Sequence, residues 1–278
     1  ILLSILPRGT VGIENPGYRG LSELAASYGQ TAVPIRVTED GLDLTQVRAR
    51  NPQIIYTTPG HQFPLGVVLP IEKRLALLQW AGTQHLIIED DYDSEYRYSA
   101  HPLPALQSLA TANQVAYLGT FSRGIDPTLR MGYLVLPPQL VATYHQRYQY
   151  RAEMVAGLLQ QAMANYFEDG AYYRHLSRNR AANRQKYRVL CHQLAQTKQI
   201  RPIATGAGVH LVVQIPGIAQ AKLLEALERQ QVRIYPLNSN WRDMPTADYY
   251  LLGFAGLTLS ELTTGVKRLI QVCEQLVG

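Results

Sequence analysis

The chain has 278 residues, 46% of them hydrophobic, so it can bury a large core as one large domain or two smaller ones. Its longest apolar runs, such as residues 1–3 and 134–136, are far shorter than the roughly 20 residues that a membrane span requires. The net charge of +5 is mild and the basic residues are dispersed, which argues against a nucleic-acid site within the chain.

Short apolar runs alternate with amphipathic stretches in the first half of the chain. We predict strands over residues 11–14, 32–37, 53–58, 85–90, 115–121 and 131–136. We predict helices over residues 17–28, 44–50 and 70–80. Strands that alternate with helices predict an α/β fold, in which a mostly parallel sheet carries helices on both faces.

The pattern changes after Pro138, where residues 139–183 are almost wholly helical in character. Further helices are predicted to end near residue 196 and to span residues 219–230 and 259–276, and strands to span residues 209–215, 232–235 and 249–254. These elements predict a smaller C-terminal α+β domain. We therefore divide the chain into residues 1–147 and 148–278, with a long connecting helix in the second part.

The termini and the cysteines bear on processing and compartment. Residues 7–9 (Pro-Arg-Gly) interrupt the apolar start, which excludes a signal peptide at the first residue, and Ile1 in place of methionine suggests a fragment or a trimmed chain. Cys191 and Cys273 lie in helix-like segments without metal-ligand spacing. We expect buried structural thiols in a reducing, cytoplasmic compartment, and no metal site.

Three polar segments follow consecutive predicted strands. They span residues 58–66, 89–96 and 119–123. Ligands of open α/β sheets bind outside the carboxyl ends of the strands. One such segment could be an ordinary loop, but three at consecutive strand ends predict a site for a polar, anionic ligand.

These segments also carry a family resemblance. Five motifs occur in order along nearly the whole chain: Glu14–Tyr18, Thr58–Gly66, Glu89–Tyr98, Gly119–Arg130 and Met131–Tyr133. They resemble the aminotransferase-like domain of MocR-type regulators of the GntR family, which have the fold of type I pyridoxal-phosphate (PLP) enzymes. The resemblance implies PLP as cofactor, an amino acid or amine as effector, and a homodimer. It implies DNA binding only through an upstream winged-helix module that this chain lacks.

The resemblance assigns the ring-binding roles to the second polar segment. Asp90 is expected to keep the PLP ring nitrogen protonated, and Tyr92 to hydrogen-bond the phenolic oxygen of the ring. Adjacent strand residues point to opposite faces, so only one of Asp90 and Asp91 can face the ring, and the family motif favours Asp90. An acidic, solvated turn is the alternative interpretation of this segment.

The other two segments supply the remaining expected contacts. Thr120 and Ser122 can donate hydroxyl hydrogen bonds to the phosphate, and Arg130 can grip it with two parallel bonds. Arg130 could instead be a surface arginine at the start of a strand. By resemblance, His61 and Gln62 approach the ring, although His61 could equally be a loop histidine with purely structural hydrogen bonds.

The main departure from the family is Arg123. The family reads Gly-Thr-Phe-Ser-Lys where this chain reads Gly-Thr-Phe-Ser-Arg at residues 119–123. The missing lysine would hold the cofactor covalently and move its proton, which a permanently charged guanidinium cannot do. We expect no rescue from the five lysines, all predicted to lie in helices: Lys73, Lys186, Lys198, Lys222 and Lys267.

These observations leave three hypotheses. The first is a sensor domain that binds PLP or an amino-acid derivative, without a covalent link, with little or no transamination. The second is a degenerate fragment of such a protein, and the third is a functional class I/II aminotransferase. Arg123 favours the first hypothesis over the third.

Overall fold

A computed structural model describes residues 1–93, 95–98, 103–151, 154–203, 206–242 and 248–277. Ser94, within the second polar segment, lies outside the described residues. No helix among the described residues is long and apolar enough to cross a membrane.

The first half of the chain forms a seven-stranded sheet. Its strands are β1 (Thr10–Asn15), β2 (Thr31–Thr38), β3 (Gly41–Leu42), β4 (Ile54–Thr57), β5 (Leu86–Asp91), β6 (Val115–Thr120) and β7 (Gly132–Val135). Their order is β3-β2-β1-β4-β5-β6-β7. The five central strands are parallel, and the antiparallel strands β3 and β7 lie at the two edges. The predicted mostly parallel sheet is therefore confirmed.

Helices cover both faces of this sheet. They are α1 (Leu2–Ile5), α2 (Arg19–Ser27), α3 (Leu44–Arg50), α4 (Ile71–Ala81), α5 (Leu106–Leu109) and α6 (Pro138–Tyr148), with a 3-10 turn at Pro127–Leu129. Adjacent residues of β5 show the two faces: Ile87 packs into one apolar cluster with Leu77 of α4, and Ile88 packs into another with Leu21 of α2. Burial on both faces explains why this strand has no polar alternation.

The second half of the chain forms helices around a smaller sheet. The helices are α7 (Gly157–Glu168), α8 (Ala171–Leu194), α9 (Gln220–Arg229) and α10 (Leu259–Val277). The strands are β8 (Arg201–Ile203), β9 (His210–Gln214), β10 (Tyr235–Pro236) and β11 (Tyr249–Gly253), in the antiparallel order β10-β11-β9-β8. One apolar core joins this sheet to α8, α9 and α10. The smaller C-terminal α+β part is thus confirmed, whereas the boundary at residue 148 stays a prediction.

The segment after β5 joins the two parts. Arg97 forms an isolated antiparallel bridge with Ala207, and the Tyr98 amide donates to the Gly206 carbonyl at 2.7 Å. The Gly208 amide donates in turn to the Tyr96 carbonyl at 2.7 Å. Because of this pairing, the start of β9 lies beside the acidic segment that follows β5.

Three sequence-based expectations differ from the structure. The helical stretch 139–183 is broken after α6 and again at Gly170, which has a positive φ of 66° and begins α8. The strand predicted over 232–235 is reduced to Tyr235–Pro236, an edge strand with one neighbour. Lys198 lies in the loop between α8 and β8, not in a helix, while the other four lysines are helical.

Candidate functional site

The three polar segments meet at the carboxyl ends of the central strands of the large sheet. They follow β4, β5 and β6, which are neighbouring parallel strands, so their carboxyl ends lie side by side. The register pairs Thr57 with Glu89, and Asp91 with Gly119. Ligands of open α/β sheets bind outside these carboxyl ends.

The acidic residues at the end of β5 each have a different partner. Asp90 accepts a very short hydrogen bond from the Tyr56 hydroxyl of β4, and Asp91 accepts one from the Tyr117 hydroxyl of β6. Glu89 accepts from the first amides of α5, at Leu106 and Gln107. Burial raises the pKa of Asp90, and the bond from Tyr56 partly opposes this rise. Asp90 is thus a partly buried carboxylate with a neutral partner.

Tyr92 belongs to a buried polar cluster. Its hydroxyl lies 3.1 Å from Nδ1 of His61, and the same nitrogen lies 2.9 Å from Oδ2 of Asp93. The ring of His210, at the start of β9, lies 5.1 Å from the His61 ring, centroid to centroid. His61, Asp93 and His210 are all buried. Nε2 of His61 is buried without a hydrogen-bond partner among the described residues.

The same cluster is a candidate for metal binding. His61, Asp93 and His210 present ligand atoms that all lie within 4.8 Å of one another. Burial is the main cause that lowers the pKa of His210, to about 4, so its ring is neutral at physiological pH. The Asp93–His61 pair is nevertheless complete as a hydrogen bond without an ion.

The imidazole of His61 lies in close contact with Gly208, which precedes β9. The φ of Gly208 is +79°, and a Cβ atom there would lie 2.0 Å from Cε1 of His61. A side chain at this position would therefore be strained and would collide with the imidazole. The glycine lets β9 approach closely enough to fix the ring.

Gln62 is held inside the loop that carries His61. Its side-chain amide donates to the Pro16 carbonyl at 2.9 Å and to Oε2 of Glu14 at 3.2 Å, while its oxygen accepts from the Leu65 amide. Glu14 is also bound by both hydroxyls of Thr57 and Thr58. Gln62 thus uses its donors and its acceptor to shape the loop.

The third segment carries Thr120, Ser122 and Arg123. The Thr120 hydroxyl oxygen accepts from the Ser122 amide at 3.2 Å, and the Tyr96 hydroxyl donates to the Arg123 carbonyl at 2.8 Å. The ring of Tyr133 on β7 lies against Gly119, since a Cβ atom there would lie 2.2 Å from this ring. The bond from Tyr96 therefore holds the carbonyl of residue 123 in place.

Arg123 and Arg130 both keep exposed guanidinium groups. Neither side chain has a hydrogen bond or an ion pair within the described part of the chain. The charge of Arg123 acts on the buried cluster. It partly opposes the rise that burial causes in the pKa of Tyr92, and it adds to the fall that burial causes in the pKa of His210. Arg130 has a left-handed φ of 50° directly after the 3-10 turn. Both arginines are available to an anionic ligand.

A cleft of about 820 Å³ adjoins Arg123. Its walls include Val209, Leu252 and Phe254 of the smaller part and Ser260 in the first turn of α10. The volume lies within the range of about 300–1,000 Å³ that is usual for small-molecule sites. The cleft thus places the guanidinium of Arg123 beside an apolar wall.

Sequence reasoning missed several residues of this region, among them Tyr56, Asp93 and His210. Tyr56 lies inside an apolar strand, where a tyrosine is commonly core, and His210 is distant in the sequence. Asp93 stands in the acidic segment, but its partner His61 is 32 residues away. A further indication was available at Gly208, since a glycine just before a strand is compatible with close backbone approach.

Glu95 predicts a pH dependence of stability. Burial raises its pKa to about 7, from 4.5. The folded chain therefore binds this proton more tightly, and the stabilisation is present below about pH 4.5 and lost as the pH rises through 7.

We expect the stability of the parent relative to Glu95→Gln to fall by about 2–3 kcal/mol between pH 4.5 and 8. Urea unfolding across this range measures it, with Glu23→Gln, at an exposed site, as the control. Parallel profiles for parent and Glu95→Gln would contradict the assignment.

Comparison with known proteins places the chain beside regulators and aminotransferases. It is 34% identical over 279 residues to the uncharacterized HTH-type transcriptional regulator YdeL of Bacillus subtilis (strain 168), covering 97% of this chain and 60% of the relative. It is 36% identical over 264 residues to the probable rhizopine catabolism regulatory protein MocR of Rhizobium meliloti, covering 92% and 53%. The chain therefore spans little more than half the length of these relatives. No protein-family model matches it.

The fold matches that of solved aminotransferases. LysN, an alpha-aminoadipate aminotransferase of Thermus thermophilus solved with N-(5'-phosphopyridoxyl)-L-leucine, superposes with a TM-score of 0.86. The match covers 99% of this chain and 75% of that one, at 24% identity. This likeness confirms the predicted α/β architecture.

Proposed function

From the premise that this chain is a MocR-like, aminotransferase-like domain of fold type I, we propose that it binds PLP or an amino-acid derivative of PLP as an effector, without a covalent link. The observation that carries the proposal is Arg123, an unpaired guanidinium where the family has lysine. Ordinary transamination is then lost or nearly lost, because no amine is available at that position.

Several side chains of the site support binding of PLP, although the lysine is missing. Asp90 would hold the proton of the ring nitrogen, because its partner Tyr56 is neutral and does not compensate the carboxylate charge. Thr120, Ser122 and Arg130 would bind the phosphate. Bound PLP supplies an electron sink for the chemistry of amino acids. The residue that would link it covalently is missing, so the fit supports reversible binding.

Arg123 also selects the kind of derivative. A guanidinium attracts a carboxylate and repels an ammonium group, so it favours an adduct that carries the carboxylate of an amino acid. The adjoining cleft, with Val209, Leu252 and Phe254 in its wall, would receive the side chain of that amino acid. Gln62 has a structural role in this proposal, since its side-chain amide already donates hydrogen bonds to Pro16 and Glu14.

The whole protein is proposed to regulate transcription in the cytoplasm. The relatives are longer regulators, and a winged-helix module outside these residues would supply DNA binding. Homodimerisation is part of the proposal, since type I sites lie between two subunits in the family it resembles. Light scattering that shows only monomer would count against the dimer.

Equilibrium dialysis of the purified chain against PLP tests the binding. We expect saturable binding that dialysis reverses and that borohydride does not make permanent. Asp90→Asn should weaken it about 10–100-fold, because a charge-assisted hydrogen bond contributes about 1.5–3 kcal/mol. Asp169→Asn, at an exposed site, is the matched control. Absence of binding by the parent would favour the degenerate fragment, and a borohydride-fixed adduct on a lysine would refute the non-covalent link.

A further inference from the structure

The buried cluster around His61 restricts where one proton can lie. Nδ1 of His61 contacts both carboxylate oxygens of Asp93, at 2.9 and 3.1 Å, and the hydroxyl of Tyr92 at 3.1 Å. This nitrogen either carries a proton or presents a lone pair, and cannot do both. A lone pair would face the lone pairs of a buried carboxylate. A proton on Nδ1 instead gives Asp93 the hydrogen bond that its burial requires.

A protonated Nδ1 changes what Tyr92 can do. The Tyr92 hydroxyl cannot donate to a nitrogen that already carries a proton. Burial keeps the pKa of Tyr92 well above its usual value, so the hydroxyl retains its own proton. Within the described part of the chain no other acceptor is bound to this hydroxyl, so the proton is free for a ligand atom.

We propose that Asp93 is a positioning residue, which holds the proton of His61 on Nδ1 and so directs the Tyr92 hydroxyl proton toward a bound ligand. The ligand group is an electron-rich oxygen such as a phenolate; that part rests on the proposed function, in which Tyr92 faces the phenolic oxygen of PLP. Asp93 is 1% exposed and His61 is 3% exposed, so solvent does not compete for this proton. Without Asp93, His61 would shift its proton to Nε2 and accept the proton of Tyr92.

Nuclear magnetic resonance of the unliganded chain tests the first step independently of PLP. The protein is labelled with ¹⁵N-histidine and kept with a chelator at pH 8, because the cluster could also bind a metal ion. The His61→Gln variant identifies the His61 signals in long-range ¹H–¹⁵N spectra. We expect Nδ1 of His61 to be protonated in the parent. In Asp93→Leu, which keeps the shape but removes the acceptor, we expect the proton mainly on Nε2. An unprotonated Nδ1 in the parent overturns the proposal, whether or not the variant folds.

A double-mutant cycle tests the link to Tyr92. Asp93→Leu and Tyr92→Phe should each weaken PLP binding about 5–10-fold, and the double variant should be no weaker than either alone. Multiplied effects in the double variant would show that Asp93 does not act through Tyr92. Failure of the parent to bind PLP would refute the proposed function, while the spectra would still decide the position of the proton.

Discussion

Arg123→Lys is expected to convert reversible binding of PLP into covalent binding. Tyr96 fixes the carbonyl of residue 123, and the charge of Arg123 lowers the pKa of both Tyr92 and His210. A lysine of similar length should therefore reach the same region. With PLP, the variant should gain an absorbance band near about 420 nm, typical of lysine-bound cofactor, that the parent lacks. Borohydride followed by peptide mass spectrometry should locate the adduct at residue 123.

Arg123→Gln is the matched control for this conversion. It removes the charge without supplying an amine, so it should give no band and should weaken binding of a reduced PLP–amino acid adduct. That loss should be about 10-fold or more, since a charge-assisted bond contributes about 1.5–3 kcal/mol. A folded Arg123→Lys variant that binds PLP without the band would show that residue 123 does not reach the aldehyde. The position that corresponds to the family's cofactor-binding lysine would then not be residue 123.

The sequence predicts the strands that carry this site better than the side-chain contacts within it. The family resemblance selects Asp90, Tyr92 and Arg123 as candidates, and strand alternation adds that only one of Asp90 and Asp91 can face the ring. The pair His61–Asp93 and its neighbour His210 depend on contacts between segments that are distant in the sequence, for which periodicity has no signal. The residues after Pro138 predict unbroken helix, because polar, alanine-rich residues favour helix throughout, whereas packing decides where each helix ends.

Arg74 shows how far the site depends on residues outside it. This arginine on α4 is 1% exposed and donates to three carbonyls: to Pro59 at 2.7 Å, Pro104 at 2.8 Å and Leu69 at 2.9 Å. Pro59 precedes the His61 loop, and Pro104 precedes α5, which Glu89 caps. One buried side chain thus connects the loops that follow β4 and β5.

Arg74→Met should therefore destabilise the chain strongly. It removes one donor from each of three carbonyls, of which Pro59 keeps the bond from the Leu69 amide, and it removes the cation near the buried Glu89. Loss of such a buried charged group costs about 3–5 kcal/mol. Urea unfolding measures the loss, and Arg48→Met, at an exposed arginine on α3, should change stability by less than about 0.5 kcal/mol. Arg74→Lys should fall between the two, since an ammonium group has fewer donors in a different geometry. A loss below about 1 kcal/mol in Arg74→Met would show that the loops support each other without Arg74.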